Sequence, residues 1–296
     1  MEHTIKSIQI AEALGGWKAL PEEDLFEIEY WELEQAKLAN KISSMDFEGK
    51  IAVVTGAANG IGKATTEALL DKGAVIAALD IDKTVKNLFD AEKTIGIECD
   101  MTDERAVQES VDSVVREFGG LDLVVSNAGI FPPSEYITEI TTESWNRSLD
   151  INLTSHQLLL KAVIPYLKNG YEPSVIFVAS KNVAAPGPGA ASYSVAKAGL
   201  TQLARVAALE LGASGIRVNV IHPNAVFDTA IWSDDLLKER AEKYGMSVNE
   251  YKSNNLLKTE IKSEDVANLI CAMAGSAFSK TTGAQIPIDG GNERVI

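Results

Sequence analysis

Residues 50 to 62 read K-I-A-V-V-T-G-A-A-N-G-I-G, which packs a strand, a glycine turn and a helix start into one short stretch. Ile51 to Val54 is an apolar, β-branched run, the pattern of a strand buried on both faces. It breaks at Gly56, and Lys63 to Leu70 then carries an apolar face at helical spacing. Glycines 56, 60 and 62 sit in the strand-to-helix turn, where a backbone without Cβ atoms lets a pyrophosphate approach. The free N–H groups and the dipole of the helix N-terminus would face that anion. The spacing is G-x-x-x-G-x-G rather than G-x-G-x-x-G, so the glycines alone are a modest signal. The strand before and the helix after supply the required context.

The second predicted strand, Ala74 to Leu79, ends in Asp80, 24 residues beyond Gly56. A carboxylate there accepts hydrogen bonds from the adenosine ribose hydroxyls and repels a 2′-phosphate. An aspartate at such a junction also serves as a helix N-cap, and the two roles are compatible. NADP users commonly place a basic residue in the glycine turn or just after this strand; here those places hold Asn59 and Ile81. The expected cofactor is NAD.

Ile97 to Met101 closes a third predicted strand, and Leu121 to Ser126 forms a fourth ahead of Asn127-Ala128-Gly129. Val175 to Val178 is a fifth, ending at Ala179-Ser180, and Arg217 to Ile221 a sixth, running into His222-Pro223. Helical spacing falls between and after them at 103–118, 141–168, 192–212 and 264–274. This alternation calls for an α/β chain with a doubly wound parallel sheet, a Rossmann fold, covered on both faces. Ligands bind beyond the carboxyl ends of such strands, which would bring Gly56, Asp80, Asn127 and Ser180 to one cleft.

Between Ser180 and Lys197 the chain reads S-K-N-V-A-A-P-G-P-G-A-A-S-Y-S-V-A-K. Tyr193 and Lys197 are one helical turn apart, so phenol and ammonium share a face. A free tyrosine titrates near about 10, and a neighbouring cation favours its phenolate. Lowering that value by about three units takes roughly 4 kcal/mol of differential stabilisation. A lysine plus an oxidised nicotinamide ring is a source of that size, and the product is a general base usable near neutral pH. An isolated Tyr-x-x-x-Lys is most often an exposed pair on a helix; this pair is not isolated.

Taken in order, Thr55 to Gly62 (T-G-A-A-N-G-I-G), Asn127-Ala128-Gly129, Asn152, Ser180 and Tyr193/Lys197 make the chain resemble the short-chain dehydrogenase/reductase superfamily over about 47–296. Ser180 precedes Tyr193 by 13 residues, the spacing usual there. The resemblance implies that Tyr193 is the acid/base and that Lys197 lowers its pKa and binds the nicotinamide ribose. It implies that Ser180 holds the substrate oxygen and that Asn152 anchors a water linking Lys197 to solvent. It further implies cofactor contacts from Gly56, Asn59, Gly60, Ile61, Gly62, Asp80 and Ile81, with Asp100 and Met101 flanking the adenine. Asn127, Ala128 and Gly129 would line the cofactor's sugar, and Pro223, Ala225, Val226 and Thr229 its nicotinamide end. Asp289-Gly290-Gly291 after Ile286-Pro287-Ile288 looks like the last strand and its exit. Structural alternatives stand beside these roles: a buried or capping amide for Asn152, a turn residue for Ser180, a strand-end cap for Asn127. One departure is visible in His222 to Thr229, H-P-N-A-V-F-D-T. Asn224 stands where the family usually has glycine, and one extra residue precedes Thr229. Asparagine tolerates left-handed backbone, so the turn is expected to survive.

Three further stretches resemble the dehydrogenase half of fusion proteins whose N-terminal half is a rhamnulose-phosphate aldolase. They are Pro223 to Trp232 (P-N-A-V-F-D-T-A-I-W), Ser233 to Gly245 (S-D-D-L-L-K-E-R-A-E-K-Y-G) and Lys280 to Gly291 (K-T-T-G-A-Q-I-P-I-D-G-G). Ala11 to Trp17 (A-E-A-L-G-G-W) and Phe26 to Leu38 (F-E-I-E-Y-W-E-L-E-Q-A-K-L) resemble the joint between the two halves. The resemblance implies a freestanding dehydrogenase that keeps the joint. Its substrate would be a small alcohol or hydroxy-aldehyde, with L-lactaldehyde the leading candidate and a sugar alcohol or its phosphate the next. A reading from another class is a non-catalytic NAD-sensing or binding module; the presence of Tyr193, Lys197, Ser180 and Asn152 together favours an enzyme.

The expected organisation is an N-terminal helical arm, 1–46, and one dehydrogenase domain, 47–296, with a substrate lid at about 225–262. That lid interrupts the α/β rhythm and carries Phe227, Ile231, Trp232, Leu236 and Leu237 as an apolar face. Ser180, Asn182, Phe227 and Trp232 are the candidate substrate contacts. Leu25, Phe26, Ile28, Trp31 and Leu33 give the arm apolar surface that calls for burial, on its own domain or a neighbouring subunit. The helices at 141–168 and 192–212 are apolar on more than one face, with Val195, Ala198, Leu203 and Val206 beside Leu158, Leu159 and Val163. With the family resemblance this implies a homotetramer.

A net charge of −15 speaks against nonspecific binding to nucleic acid or anionic membrane. Cys99 and Cys271 lack metal spacing and read as reduced buried thiols, and His3, His156 and His222 form no ligand pattern, so no metal is implied. The start has no basic, apolar leader, and no run of 18 apolar residues occurs, so a cytoplasmic protein is expected.

Overall fold

The computed structural model describes residue 21, residues 46–90 and residues 92–291. Apart from Pro21 and Asp46 the predicted arm lies outside the described residues, and so does its expected packing.

The strands are β1 (Ile51–Thr55), β2 (Val75–Asp80), β3 (Thr94–Glu98), β4 (Leu123–Ser126), β5 (Ser174–Val178), β6 (Arg217–Pro223) and β7 (Gln285–Ile288). The helices are α1 (Gly60–Asp71), α2 (Glu104–Phe118), α3 (Thr142–Leu149), α4 (Ser155–Leu167) and α5 (Ala191–Leu211). Then follow α6 (Asp234–Lys243), α7 (Val248–Lys252) and α8 (Ser263–Ala274). Among the described residues the strands form one sheet, all pairs parallel, in the order β3-β2-β1-β4-β5-β6-β7.

The strand pattern explains the layering. Val53 packs into one core with Ala77, Leu79, Val124 and Phe177, whereas Ala52 and Val54 enter another with Ile76, Ala78, Val125 and Ile176. Successive side chains of a strand point to opposite faces, so an unbroken apolar run buries both. Val107 and Val111 of α2, Leu159 and Val163 of α4 and Leu200 of α5 complete the first core. Leu69 of α1 and Val266 and Ile270 of α8 complete the second. Each fully buried side chain of this kind contributes about 1.5–3 kcal/mol. The strand order reverses between β1 and β4, and the cleft opens there, past the carboxyl ends of the strands.

Several expectations need correction. The third strand ends at Glu98; Asp100 Oδ1 accepts from the Thr102 N–H and hydroxyl, and this side-chain turn diverts the chain before Met101. The predicted helix at 141–168 is interrupted by a π-helical turn at Asp150–Thr154, which carries Asn152. Such insertions rotate one side chain out of helical register and recur at functional sites. The positive φ expected at Asn224 falls on Ala225, at 26°, so the strained position lies one residue later than the family pattern implies. Leu159 and Val163, read as surplus apolar surface, belong to the chain's own core. Val195, Val206 and Leu209 of α5 do remain exposed.

The segment at 225–262, expected to be a lid, contains α6 and α7 and is held at both ends. The Asp228 carboxylate accepts from the Ser263 N–H and hydroxyl at the start of α8, while the Leu256 and Leu257 N–H groups donate to the Gly291 and Gly290 carbonyls. Among the described residues no helix is long and apolar enough to cross a membrane.

Candidate active site

The glycine turn is built from its neighbours. Thr55 Oγ1, at the end of β1, accepts from the N–H groups of Asn127 and Ala128, and the Asn127 amide donates back to the Thr55 and Gly56 carbonyls. Asn127 is therefore the strand-end tie of the turn. A Cβ at Gly62 would overlap the Gly56 carbonyl, so α1 can begin this close to β1 only with glycine there. Asp80 Oδ2 accepts from Ala58 N–H at 2.8 Å and Oδ1 from Asp82 N–H at 2.9 Å. Its carboxylate thus braces the glycine turn. The N-cap of the short helix that follows is Asp82, which bonds Thr84 N–H.

These residues open on a cavity of about 1020 Å³, at the upper end of the usual range for small-molecule sites. Its walls include Gly56, Asn59, Gly60, Ile61, Asp80, Ile81, Asp100 and Met101 at one end. Asn127, Ala128, Gly129, Asn152, Ser180, Asn182, Tyr193 and Lys197 lie farther along, with Pro223, Ala225, Val226, Thr229 and Trp232 from the sixth strand and the lid. Two predicted residues are not in the wall. Gly62 is spent on packing α1 against β1, and Phe227 is buried behind Trp232 and Tyr251, ring centroids 4.9 and 5.8 Å away, as the core of the 225–262 segment.

The wall that carries Tyr193 and Lys197 is supported from behind. Lys197 is buried, its Nζ donates to the Val178 carbonyl at 3.0 Å, and it lies 5.9 Å from the centre of the Tyr193 ring. Burial lowers the lysine to about 7. Burial also raises the Tyr193 phenol above its usual value, opposed by a hydrogen bond with Ser180. In the cofactor-free protein desolvation outweighs that hydrogen bond; the expected lowering drew on the lysine together with an oxidised nicotinamide ring. Ser180 Oγ also accepts from the Asn182 N–H, and the Phe131 ring packs on Tyr193 at 4.8 Å. Asn152 is fully buried; its Oδ1 accepts from Ile130 N–H and its amide donates to Ser148 Oγ. A Cβ on Gly129 would sit 2.9 Å from Asn152 Oδ1 and 3.4 Å from Lys197 Nζ, so this glycine keeps open a gap that the two share.

Two histidines without a ligand pattern also support the site. His156 Nδ1 lies 2.6 Å from Ser126 Oγ, and burial, then the Lys197 charge, holds the ring well below its usual pKa. His222 Nδ1 lies 3.0 Å from the Ser180 carbonyl, and burial lowers it too. Neither carried a sequence signal, because their partners lie 30 and 42 residues away. Phe131, Arg147, Glu239, Arg240, Lys243, Tyr244 and Tyr251 also line the cavity.

Comparisons with known proteins agree with this architecture. A family model described as enoyl-(acyl carrier protein) reductase matches residues 56–293, and one described as aldolase class II, second domain, matches residues 1–38. The chain belongs to the short-chain dehydrogenase/reductase superfamily and is an oxidoreductase of that type, acting on alcohol or keto groups. It is 34% identical to the uncharacterized oxidoreductase YuxG of Bacillus subtilis, over 95% of this chain and 43% of that protein, so it spans less than half the length of that relative. It is 34% identical to a cis-4-hydroxycyclohexanecarboxylate dehydrogenase of Sinomonas cyclohexanicum, over 83% of this chain and 97% of the relative. An aldohexose dehydrogenase of Thermoplasma acidophilum, in ligand-free form, superposes with a TM-score of 0.73 at 28% identity, over 84% of this chain and 96% of that one. A 3-ketoacyl-(acyl-carrier-protein) reductase of Brucella melitensis, complexed with NADH, has a TM-score of 0.73 at 24% identity, over 84% and 99%, and bears on the fold alone.

Proposed function

We propose that the chain is an NAD-dependent dehydrogenase that moves a hydride between a small alcohol or hydroxy-aldehyde and NAD, with Tyr193 as acid/base. The observation that carries the reading is the buried Lys197 beneath Tyr193, itself hydrogen-bonded to Ser180, in the cavity that also meets the glycine turn and Asp80. The residues fit a dinucleotide: the turn glycines leave a cradle without side chains, and Asp80 stands at its ribose end. When bound, NAD supplies the hydride acceptor. Ser180 orients the substrate oxygen, and Tyr193 takes its proton. The Tyr193–Lys197 pair titrates as a unit: removing one proton leaves either phenolate with ammonium or phenol with amine, so burial of Lys197 gives the pair a proton acceptor near neutral pH. The gap at Gly129, between Asn152 and Lys197, suits a path by which the proton leaves.

The lid supports a small polyhydroxylated substrate. Trp232, Tyr244 and Tyr251 offer apolar ring faces with polar edges, the surface that suits a lactaldehyde or a sugar alcohol. The aldolase-type match at 1–38 supports a substrate of that kind. A phosphorylated sugar alcohol is the second reading. It is favoured by α6, which lines the cavity with Leu236, Glu239, Arg240 and Lys243, one face of the helix and two cations, with Tyr244 at its C-cap. A panel of small alcohols, hydroxy-aldehydes, sugar alcohols and sugar-alcohol phosphates, scored by kcat/KM for NADH formation, tests both: a phosphorylated member should lead only if the second reading holds.

Asp80 supports NAD over NADP by charge. NAD should exceed NADP in kcat/KM by more than about tenfold, about 1.4 kcal/mol, and Asp80→Ala should narrow the gap mainly by improving NADP. Equal efficiency with both cofactors in the wild-type protein would defeat the assignment. Val195, Val206 and Leu209, exposed on α5, support helix pairing between subunits and a homotetramer. Light scattering at assay concentration should give about four times the chain mass, and a monomer would defeat this. The two free, buried cysteines fit a reducing, cytoplasmic setting.

A further inference from the structure

Lys181 directly follows Ser180, and its ammonium is ion-paired with Asp289 inside the protein; the two side chains are 2% and 9% exposed. Burying two charges costs several kcal/mol per ion before their attraction is counted, and an apolar pair of similar volume is often as stable. A pair kept one residue from the serine therefore calls for a positional explanation.

The surroundings supply one. Ser180 Oγ accepts from Asn182 N–H and so caps the short helical turn Lys181–Val183, which sets the serine hydroxyl and the lysine stem in one rigid piece. From the end of β5 the lysine reaches past the tip of β6, where His222 bonds the Ser180 carbonyl, to Asp289 at the exit of β7. The other oxygen of that carboxylate, Oδ1, accepts from Gly291 N–H at 2.9 Å and shapes a turn in which Gly290 and Gly291 have φ of 64° and 74°. That turn holds the far end of the lid: its two carbonyls accept from Leu257 and Leu256, and Asn255 lies so close to Gly290 that a Cβ there would meet it at 2.5 Å. Asn255 follows α7 closely, and α7 carries the cavity-lining Tyr251. The near end of the lid is fastened separately, through Asp228 and Ser263.

We propose that Lys181 and Asp289 are positioning residues that tie Ser180 to the far end of the lid, so that serine and lid reach working geometry together. The inference rests on the reading of Ser180 as the group that holds the substrate oxygen. Removing one charge alone would leave the other buried without its counter-charge from this pair, so the first test is the double variant Lys181→Met/Asp289→Leu, which removes both. Its melting temperature should stay near that of the wild-type protein and its NAD Kd within about twofold, while kcat falls by about 10²-fold, the scale of an ångström-level misplacement. In the same variant, amide hydrogens at 180–184 and at 253–258 should both exchange about tenfold faster in hydrogen-exchange mass spectrometry. Wild-type kcat and KM in a folded double variant would overturn the proposal, and so would faster exchange confined to one segment. If the double variant does not fold, Lys181→Arg, which keeps both charges, decides: the two segments should change exchange rate together, and a change in one alone, or in neither, overturns the coupling. If the wild-type protein turns over no alcohol, the functional reading fails, and the exchange comparison still decides whether the two segments are tied.

Discussion

Tyr193→Phe is expected to lower kcat for alcohol oxidation by about 10³-fold, within the 10²–10⁴-fold range of general acid–base catalysis, and to change the NAD Kd by less than about threefold. The separation of the two effects follows from geometry. The tyrosine ring packs on Phe131 at 4.8 Å, a contact that phenylalanine keeps, and the lost hydroxyl bonds Ser180 rather than the glycine turn or Asp80. The cofactor end of the cavity is held by Thr55, Asn127 and Asp80, none of which touches the phenol by any described hydrogen bond. Steady-state kinetics with the best substrate and a calorimetric NAD titration check both halves. A rate within about threefold of wild type would remove Tyr193 as acid/base.

Lys197→Met should damage both halves at once, with kcat lower by about 10²-fold or more and NAD affinity weaker by about tenfold, because one ammonium would serve the phenol and the ribose. The pH dependence gives the variant its signature. Burial lowers Lys197 from 10.5 to about 7, whereas in the unfolded chain it returns to its ordinary value. Between about 7 and 10.5 the unfolded state therefore binds one more proton than the folded state, and the stability of the cofactor-free protein rises with pH there. The penalty is fully present below 7 and gone above 10.5, with a slope of about 1.4 kcal/mol per unit between. Methionine should abolish that slope. Denaturant titrations of both proteins at neutral and alkaline pH check this, and a slope unchanged in the variant would contradict the assignment. In the kinetics, the limb that the pair contributes near neutral pH should move upward in Lys197→Met, toward the raised phenol.

Much of this was legible in the residues. Apolar runs such as Ile51–Thr55 mark strands buried on both faces, and the β-α alternation leaves few topologies besides the doubly wound sheet. Tyr193, Lys197, Ser180 and Asn152 were recognisable because their spacings lie within single elements or repeat a familiar order. What escaped depends on contacts distant in sequence. The π-helical turn around Asn152 is invisible to helical periodicity, since the residues on both sides keep a helix-like pattern. Phe227 read as a cavity residue because it is apolar and in the lid, but only packing against Trp232 and Tyr251 shows which way the lid turns it. Lys181 drew no reading from the sequence, because its partner Asp289 lies 108 residues later. The raised phenol of the cofactor-free protein carried no sequence signal either, because it comes from desolvation in a closed wall, which only the packing shows.

Isotope transfer tests whether this cavity passes a hydride from an alcohol carbon to NAD while Tyr193 takes the hydroxyl proton. The best alcohol from the panel, deuterated at its carbinol carbon, would be incubated with NAD and the wild-type protein, and the reduced cofactor analysed by mass spectrometry. Deuterium carried stoichiometrically into NADH, at a rate about 10³-fold lower in Tyr193→Phe, is the expected result. NAD that binds normally but is reduced by no member of the panel, or NADH formed without the label, would contradict it.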